Sequence, residues 1–175
     1  MKIDIIPAES KHLPEISALY HSVTTYLESH INYPGWQTGF YPTCETAQAA
    51  LQKNGLYIAL LDGEIVGSFV LSQAFEEPYE AASWSFPSDY SKIFVVHTFL
   101  IHPNYTKQKI GKQMLEYVMA LGKAQGMNSI RLDTYEKNLP AMKLYESCGF
   151  RFAGKVDLGR ADRGLYWYHC YEKVL

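Results

Sequence analysis

The residues best placed to do chemistry lie in one short run, Thr106-Lys107-Gln108-Lys109-Ile110-Gly111-Lys112, at the start of a strongly periodic helical segment. A helix N-terminus leaves backbone N–H groups unpaired and carries a partial positive charge. Three lysines and a glycine there suit a phosphate-rich ligand. Lysines near a helix start are also ordinary solvated surface, so the run alone does not select a function. His97 stands in an apolar strand, Val95-Val96-His97-Thr98-Phe99. A histidine there is either a satisfied core residue or a proton acceptor that titrates near neutrality. His102 ends the same strand and reads as structural, while His12, His21, His30 and His169 show no metal-ligand spacing, so no metal is expected.

Pattern supplies the elements that must position these residues. Lys2–Ile6 alternates Ile3 and Ile5 with polar neighbours and stops at Pro7, a first strand. Ser10 is read as the N-cap of a helix carrying Leu13, Ile16, Leu19, Tyr20 and Val23, with Pro14 early enough to be tolerated. Residues 31–42 are rich in Gly, Pro and aromatics and form a loop, after which Thr43 caps a short helix bearing Ala47, Ala50 and Leu51. Leu56–Leu61 and Glu64–Leu71 are strands joined by the hairpin signal Asp62-Gly63. Residues 75–91 make one long irregular segment with Glu76, Glu77, Glu80 and Asp89 among aromatics, a length typical of functional loops. Ile93–Ile101 is too continuously apolar to have a wet face and belongs in a sheet interior.

Lys107–Gln125 is the longest helix, with Ile110, Met114, Leu115, Val118 and Leu121 at steps of three and four, and Gly126 stops it. Ser129–Thr134 is a strand. Asn138 caps a short helix bearing Ala141, Leu144, Tyr145 and Cys148, and Phe150–Val156 and Leu165–Val174 close the chain as strands. The order β-α-α-β-β-β-α-β-α-β-β describes a mixed α/β fold in a single domain over residues 1–175. Its strand–helix–strand unit from Ile93 to Thr134 is expected to be parallel and right-handed.

The bulk numbers exclude some classes. Sixteen Lys and Arg against eighteen Asp and Glu leave a net charge of −2, which argues against nucleic-acid binding by counterion release. No apolar run approaches the roughly 20 residues of a membrane helix. Residues 1–10 carry Asp4 and Glu9 and do not read as a signal peptide. Cys44, Cys148 and Cys170 match neither a C-x-x-C site nor a disulfide framework, and fit free buried thiols in a reducing cytoplasm.

The run Val95 to Tyr105 with the lysine-bearing turn after it resembles motif A of the GNAT superfamily of N-acetyltransferases. Arg131-Leu132-Asp133-Thr134-Tyr135, Asn138, Ala141, Leu144-Tyr145-Glu146 and Gly149-Phe150 resemble that family's motif B, and the likeness runs from about Ile93 to Phe152. Tyr171-Glu172-Lys173 and Trp36…Phe40-Tyr41-Pro42 look like a bacterial subgroup. The resemblance implies the acyl-CoA N-acyltransferase fold, a mixed central sheet of about seven strands with four helices. It also implies acetyl-CoA as co-substrate and transfer of the acetyl group to an amine of a small molecule or peptide by direct attack. One position departs: the family's pyrophosphate loop reads Q/R-x-x-G-x-G/A, and here those places hold Thr106, Lys109 and Gly111.

The same resemblance assigns roles. Main-chain groups of Phe99, Leu100 and Ile101 bond the pantetheine and thioester, with an N–H near Leu100 at the developing oxyanion. Lys107, Gln108, Lys109, Ile110, Gly111 and Lys112 hold the pyrophosphate. Asn138 caps its helix and contacts the cofactor. Tyr145 is the general acid for the leaving thiolate, and His97, or a water, is the base. Trp36, Tyr41 and Trp84 border the acceptor and hold a cationic amine by cation–π contact; packing of loops onto the core and a homodimer contact are equally compatible with them. Tyr166, Trp167, Tyr168 and Tyr171 suit either a partner subunit or a buried sheet face. The alternative of another class is a weak or inactive domain of the same fold, acting as a CoA or ligand sensor or an interaction module; Thr106 and Lys109 favour it, while Tyr145 and Asn138 oppose it.

Overall fold

The computed structural model describes residues 2–74, 76–86 and 89–175. Its helices are α1 (Leu13–Glu28), α2 (Cys44–Gln52), α3 (Ile110–Ala124) and α4 (Leu139–Ser147). Its strands are β1 (Asp4–Pro7), β2 (Leu56–Leu61), β3 (Glu64–Ser72), β4 (Ile93–Ile101), β5 (Ser129–Tyr135), β6 (Arg151–Val156) and β7 (Tyr168–Val174). The seven strands form one sheet in the order β1-β2-β3-β4-β5-β7-β6. Among the described residues no helix is long and apolar enough to cross a membrane.

The chain divides into two compact units. The first runs through Asn32 and adds Trp36–Leu71 and Thr98–Met114. Here β2 is antiparallel to both β1 and β3, and Asp62 (φ 51°) and Gly63 (φ 88°) make the expected tight turn. Apolar positions at helical spacing on α1 (Ile16, Leu19, Tyr20, Val23) pack with Ala47 and Ala50 of α2 and with Leu56, Ile58 and Leu100 of the strands. One expectation changes at the end of an element. Ser10 does not cap α1: it opens a 3-10 turn, Ser10–His12, ahead of the helix, and Glu9 N–H donates to His12 Nδ1 at 3.0 Å. Pro14 then sits in the first turn of α1, where its missing N–H costs nothing.

The second unit holds Tyr33–Gly35, Ser72–His97 and Leu115–Leu175. Here β4 and β5 pair in parallel, as the crossover pattern requires, and β7 runs antiparallel between β5 and β6. The irregular segment folds 3-10 turns, Glu77–Ala81 and Tyr90–Lys92, while its Phe75 and residues 87–88 lie outside the described residues. Tyr79 of that segment packs with Ile93, Val95, Tyr135, Val156, Leu165 and Tyr168. Of the three thiols only Cys170 is fully buried; Cys44 and Cys148 are half-buried, which corrects the expectation that all would be core. Tyr168 and Tyr171 are buried within the chain, and Tyr166 and Trp167 are exposed.

Candidate active site

The lysine-bearing turn is not helical. α3 begins at Ile110, three residues later than the periodicity predicts, because Lys107 and Lys109 both lie in the left-handed region at φ 62°. Gln108 between them is not left-handed. Alternating handedness of this kind gathers successive backbone N–H groups into one anion-binding concavity. The concavity leads directly into the helix: the Lys109 carbonyl accepts from Gln113 N at 3.2 Å, and the first-turn N–H groups of Ile110, Gly111 and Lys112 follow. Thr106 Oγ1 donates to the Pro103 carbonyl at 3.0 Å and Gln108 Nε2 to the Asn104 carbonyl at 3.3 Å, so side chains brace the turn from behind. Ile110 is buried and anchors it. Lys109 therefore keeps a conformation that glycine adopts freely, with its side chain exposed.

Left-handed lysine is strained, by about 1–2 kcal/mol for an L-residue. Lys109→Ala keeps that strain and Lys109→Gly removes it. The glycine variant is expected to be the more stable of the two by about 1 kcal/mol in chemical denaturation. Equal stabilities would show that Lys109 is not held in this conformation.

In the same unit, the Leu100 carbonyl lies against β3: a Cβ built on Gly67 would sit 3.1 Å from it. His102 N–H donates to the Val66 carbonyl at 2.8 Å. Strand alternation thus turns the main chain of Leu100 toward β3 and that of Phe99 and Ile101 to the opposite edge. This shifts the main-chain candidates for a ligand from Leu100 to its two neighbours. Thr98, which precedes them, is buried and left-handed at φ 47°, a kink that a β-branched residue rarely adopts. Its hydroxyl shares a 2.7 Å hydrogen bond with Tyr41. Trp36 meets the Tyr41 ring edge-on at 5.8 Å, and Asn32 clamps both main-chain groups of Trp36. Trp36 and Tyr41 thus come together beside Thr98 of β4. His102 is structural, its Nδ1 accepting from Asn104 N at 3.2 Å.

In the second unit, the pairing of β4 with β5 runs Ile93↔Ser129 to Val96↔Leu132 and stops there. The next residues of the two strands are His97 and Asp133, on the face of Val95 and Arg131. Burial holds the His97 pKa below its usual value; Asp133 and Glu76 push it back up and Arg160 adds to the lowering. Tyr79, fully buried, donates its hydroxyl to Asp133 Oδ2. Burial, then the Asp133 charge, holds the Tyr79 phenol well above its ordinary pKa. Asp133 and Tyr79 were not singled out from sequence. Asp133 carried a signal, the one acid in its strand, but the partner from a distant loop did not.

Asn138 caps α4, its Oδ1 accepting from Ala141 N at 3.4 Å, with Pro140 in the first turn. Tyr145 is 5% exposed on α4, between Phe150 (6.2 Å) and Tyr171 (5.7 Å). Burial, with smaller contributions from Asp133 and Tyr171, raises its pKa well above the ordinary value. Trp84 departs from expectation. Its ring lies 4.3 Å from the Arg131 guanidinium and its Nε1 donates to the Tyr79 carbonyl at 2.7 Å, so one aromatic face is already taken by a cation of the chain itself. Among the described residues no three His, Cys, Asp or Glu side chains converge as a metal cluster.

These features meet known proteins in one family. Residues 17–150 match the model of the acetyltransferase (GNAT) family. The chain belongs to the GNAT acetyltransferase family. A streptothricin acetyltransferase of Escherichia coli is 25% identical over 125 residues, covering 67% of this chain. The match spans 63% of that relative's length. Among solved structures, a GNAT-family acetyltransferase from Streptococcus agalactiae superposes with a TM-score of 0.80 at 18% identity, over 99% of this chain and 95% of its own. The ribosomal-protein-S18-alanine N-acetyltransferase of Escherichia coli superposes with a TM-score of 0.70 at 14% identity, over 99% and 94%. At these identities the structures establish the fold, a seven-stranded mixed sheet with four helices. Members of the GNAT family use acetyl-CoA.

Proposed function

We propose that the chain is an acetyl-CoA-dependent N-acetyltransferase that acetylates a primary amine of a small molecule or peptide by direct attack. The observation that carries this reading is the left-handed, lysine-bearing concavity at Lys107–Lys109 leading into the N-terminus of α3. It offers backbone N–H groups and cationic side chains to a pyrophosphate, and Lys109 takes a left-handed conformation that glycine adopts freely. A small-molecule acceptor is supported by the relative named as a streptothricin acetyltransferase.

The residues divide the work. Lys107, Gln108, Lys109, Ile110, Gly111 and Lys112 hold the pyrophosphate, and Asn138 contacts the cofactor. Main-chain groups of Phe99 and Ile101 orient the thioester arm. Trp36 and Tyr41 border the acceptor. An alkylammonium of pKa about 10 must lose a proton before it attacks. His97, held neutral by burial, takes that proton, and Asp133 and Glu76 stabilise the imidazolium that forms. As the new C–N bond forms and the C–S bond breaks, Tyr145 protonates the departing sulfur. Its raised pKa keeps the phenol in the proton-bearing form across the working pH range.

The test is incubation with acetyl-CoA and a panel of diamines, amino acids and short peptides, read by thiol release and product mass. Amine-dependent release of CoA with an acetylated product is expected. CoA release that never depends on an amine would refute the reading.

A further inference from the structure

Arg131 and Glu172 sit opposite each other on β5 and β7, and both side chains are fully buried. Arg131 Nε donates to Glu172 Oε1 at 3.3 Å. A buried ion pair is a weak source of stability, because desolvation offsets its Coulomb attraction. Its other bonds show where its directional capacity goes. Arg131 Nη1 donates to the Tyr90 hydroxyl at 3.0 Å and Nη2 to the Phe86 carbonyl at 2.8 Å. The guanidinium lies over the rings of Trp84 (4.3 Å) and Tyr90 (5.2 Å). The other Glu172 oxygen accepts from Ser85 N at 2.6 Å and has Arg151 Nη2 at 3.6 Å. Arg151 in turn donates to the Ser83 carbonyl and Ser85 Oγ. Nearly every partner outside the pair belongs to residues 83–86 or to Tyr90, the irregular segment between β3 and β4.

The geometry points to Arg131 and Glu172 as a positioning pair that staples this segment to the sheet and so sets the Tyr79 hydroxyl on Asp133, which follows the last paired residue of β5 as His97 follows that of β4. Two links connect the staple to Tyr79: Trp84 Nε1 donates to the Tyr79 carbonyl, and the two rings lie 5.6 Å apart. An arginine is required for this task. One planar fork makes three directed bonds while its face stacks on an aromatic, which an ammonium cannot reproduce. The functional part of this inference rests on the acetyltransferase reading; the staple itself does not.

The test compares wild type with the charge-free pair Arg131→Met/Glu172→Leu, and with Glu172→Gln should the double variant not fold. Arg131→Lys serves as the charge-conserving control. In the first measurement, amide hydrogen exchange at Ser85 is expected to speed by about tenfold or more while the rest of the sheet stays protected. Arg131→Lys is expected not to restore protection. Protection equal to wild type would overturn the staple. In the second, kcat/KM for the amine is expected to fall about tenfold with the KM for acetyl-CoA unchanged. Equal loss toward both substrates, or none, would overturn the positioning role. If wild type transfers to no amine, the acetyltransferase reading fails, and the exchange measurement alone still decides the staple.

Discussion

Tyr145→Phe is expected to lower turnover by about 10²–10⁴-fold, the usual contribution of a positioned general acid, while acetyl-CoA affinity stays unchanged. Tyr145 is buried against Phe150 and Tyr171, so phenylalanine fills the same space and keeps the same ring contacts. Only the hydroxyl is lost, and with it the proposed proton donor to the leaving sulfur. The buried phenol's raised pKa matters here. It keeps the hydroxyl protonated, and so able to donate, throughout the working pH range. Steady-state kinetics and calorimetric binding, run on both proteins, separate the two effects. Turnover equal to wild type would remove Tyr145 as the acid; lost acetyl-CoA binding would make it a packing residue of the cofactor site.

The second large effect is expected at His97. A general base works in its deprotonated form. With its pKa held below 6.5 by burial, His97 is neutral at physiological pH, and wild-type kcat/KM falls as pH is lowered through that depressed value. His97→Ala is expected to remove this acidic limb and lower kcat/KM by about 10²-fold at neutral pH. The pH–rate profile of both proteins makes the test. A limb that persists unchanged in the variant would assign the ionisation to another group, and His97 would then be core packing. The facing charges set the sign: Asp133 and Glu76 favour the imidazolium, burial and Arg160 oppose it, and burial is the largest.

Much of this arrangement was legible in the sequence, for identifiable reasons. Apolar spacing placed α3 because Ile110, Met114, Leu115 and Val118 are indeed its buried face. Thr43, Asn138 and Asp62-Gly63 marked boundaries because caps and tight turns depend on residues only a few places apart. The start of α3 was misplaced because lysine is a good helix former and nothing local signals a left-handed one; the fold around the turn imposes φ 62° on Lys107 and Lys109. The kink at Thr98 was invisible for the same reason. Arg131 and Glu172 are 41 residues apart, and their pairing depends on a strand register that sequence does not print. Trp84 read as a seat for a foreign cation because its own cation comes from a distant strand.

Under the proposed function, acetyl-CoA binds at the lysine-bearing turn. The most direct measurement is calorimetric titration of the purified protein with acetyl-CoA, with free CoA and ATP as controls. Micromolar, saturable binding of acetyl-CoA at one site is the expected result. No binding of acetyl-CoA up to millimolar concentration would contradict the proposed function and favour a domain of the same fold that has lost its co-substrate.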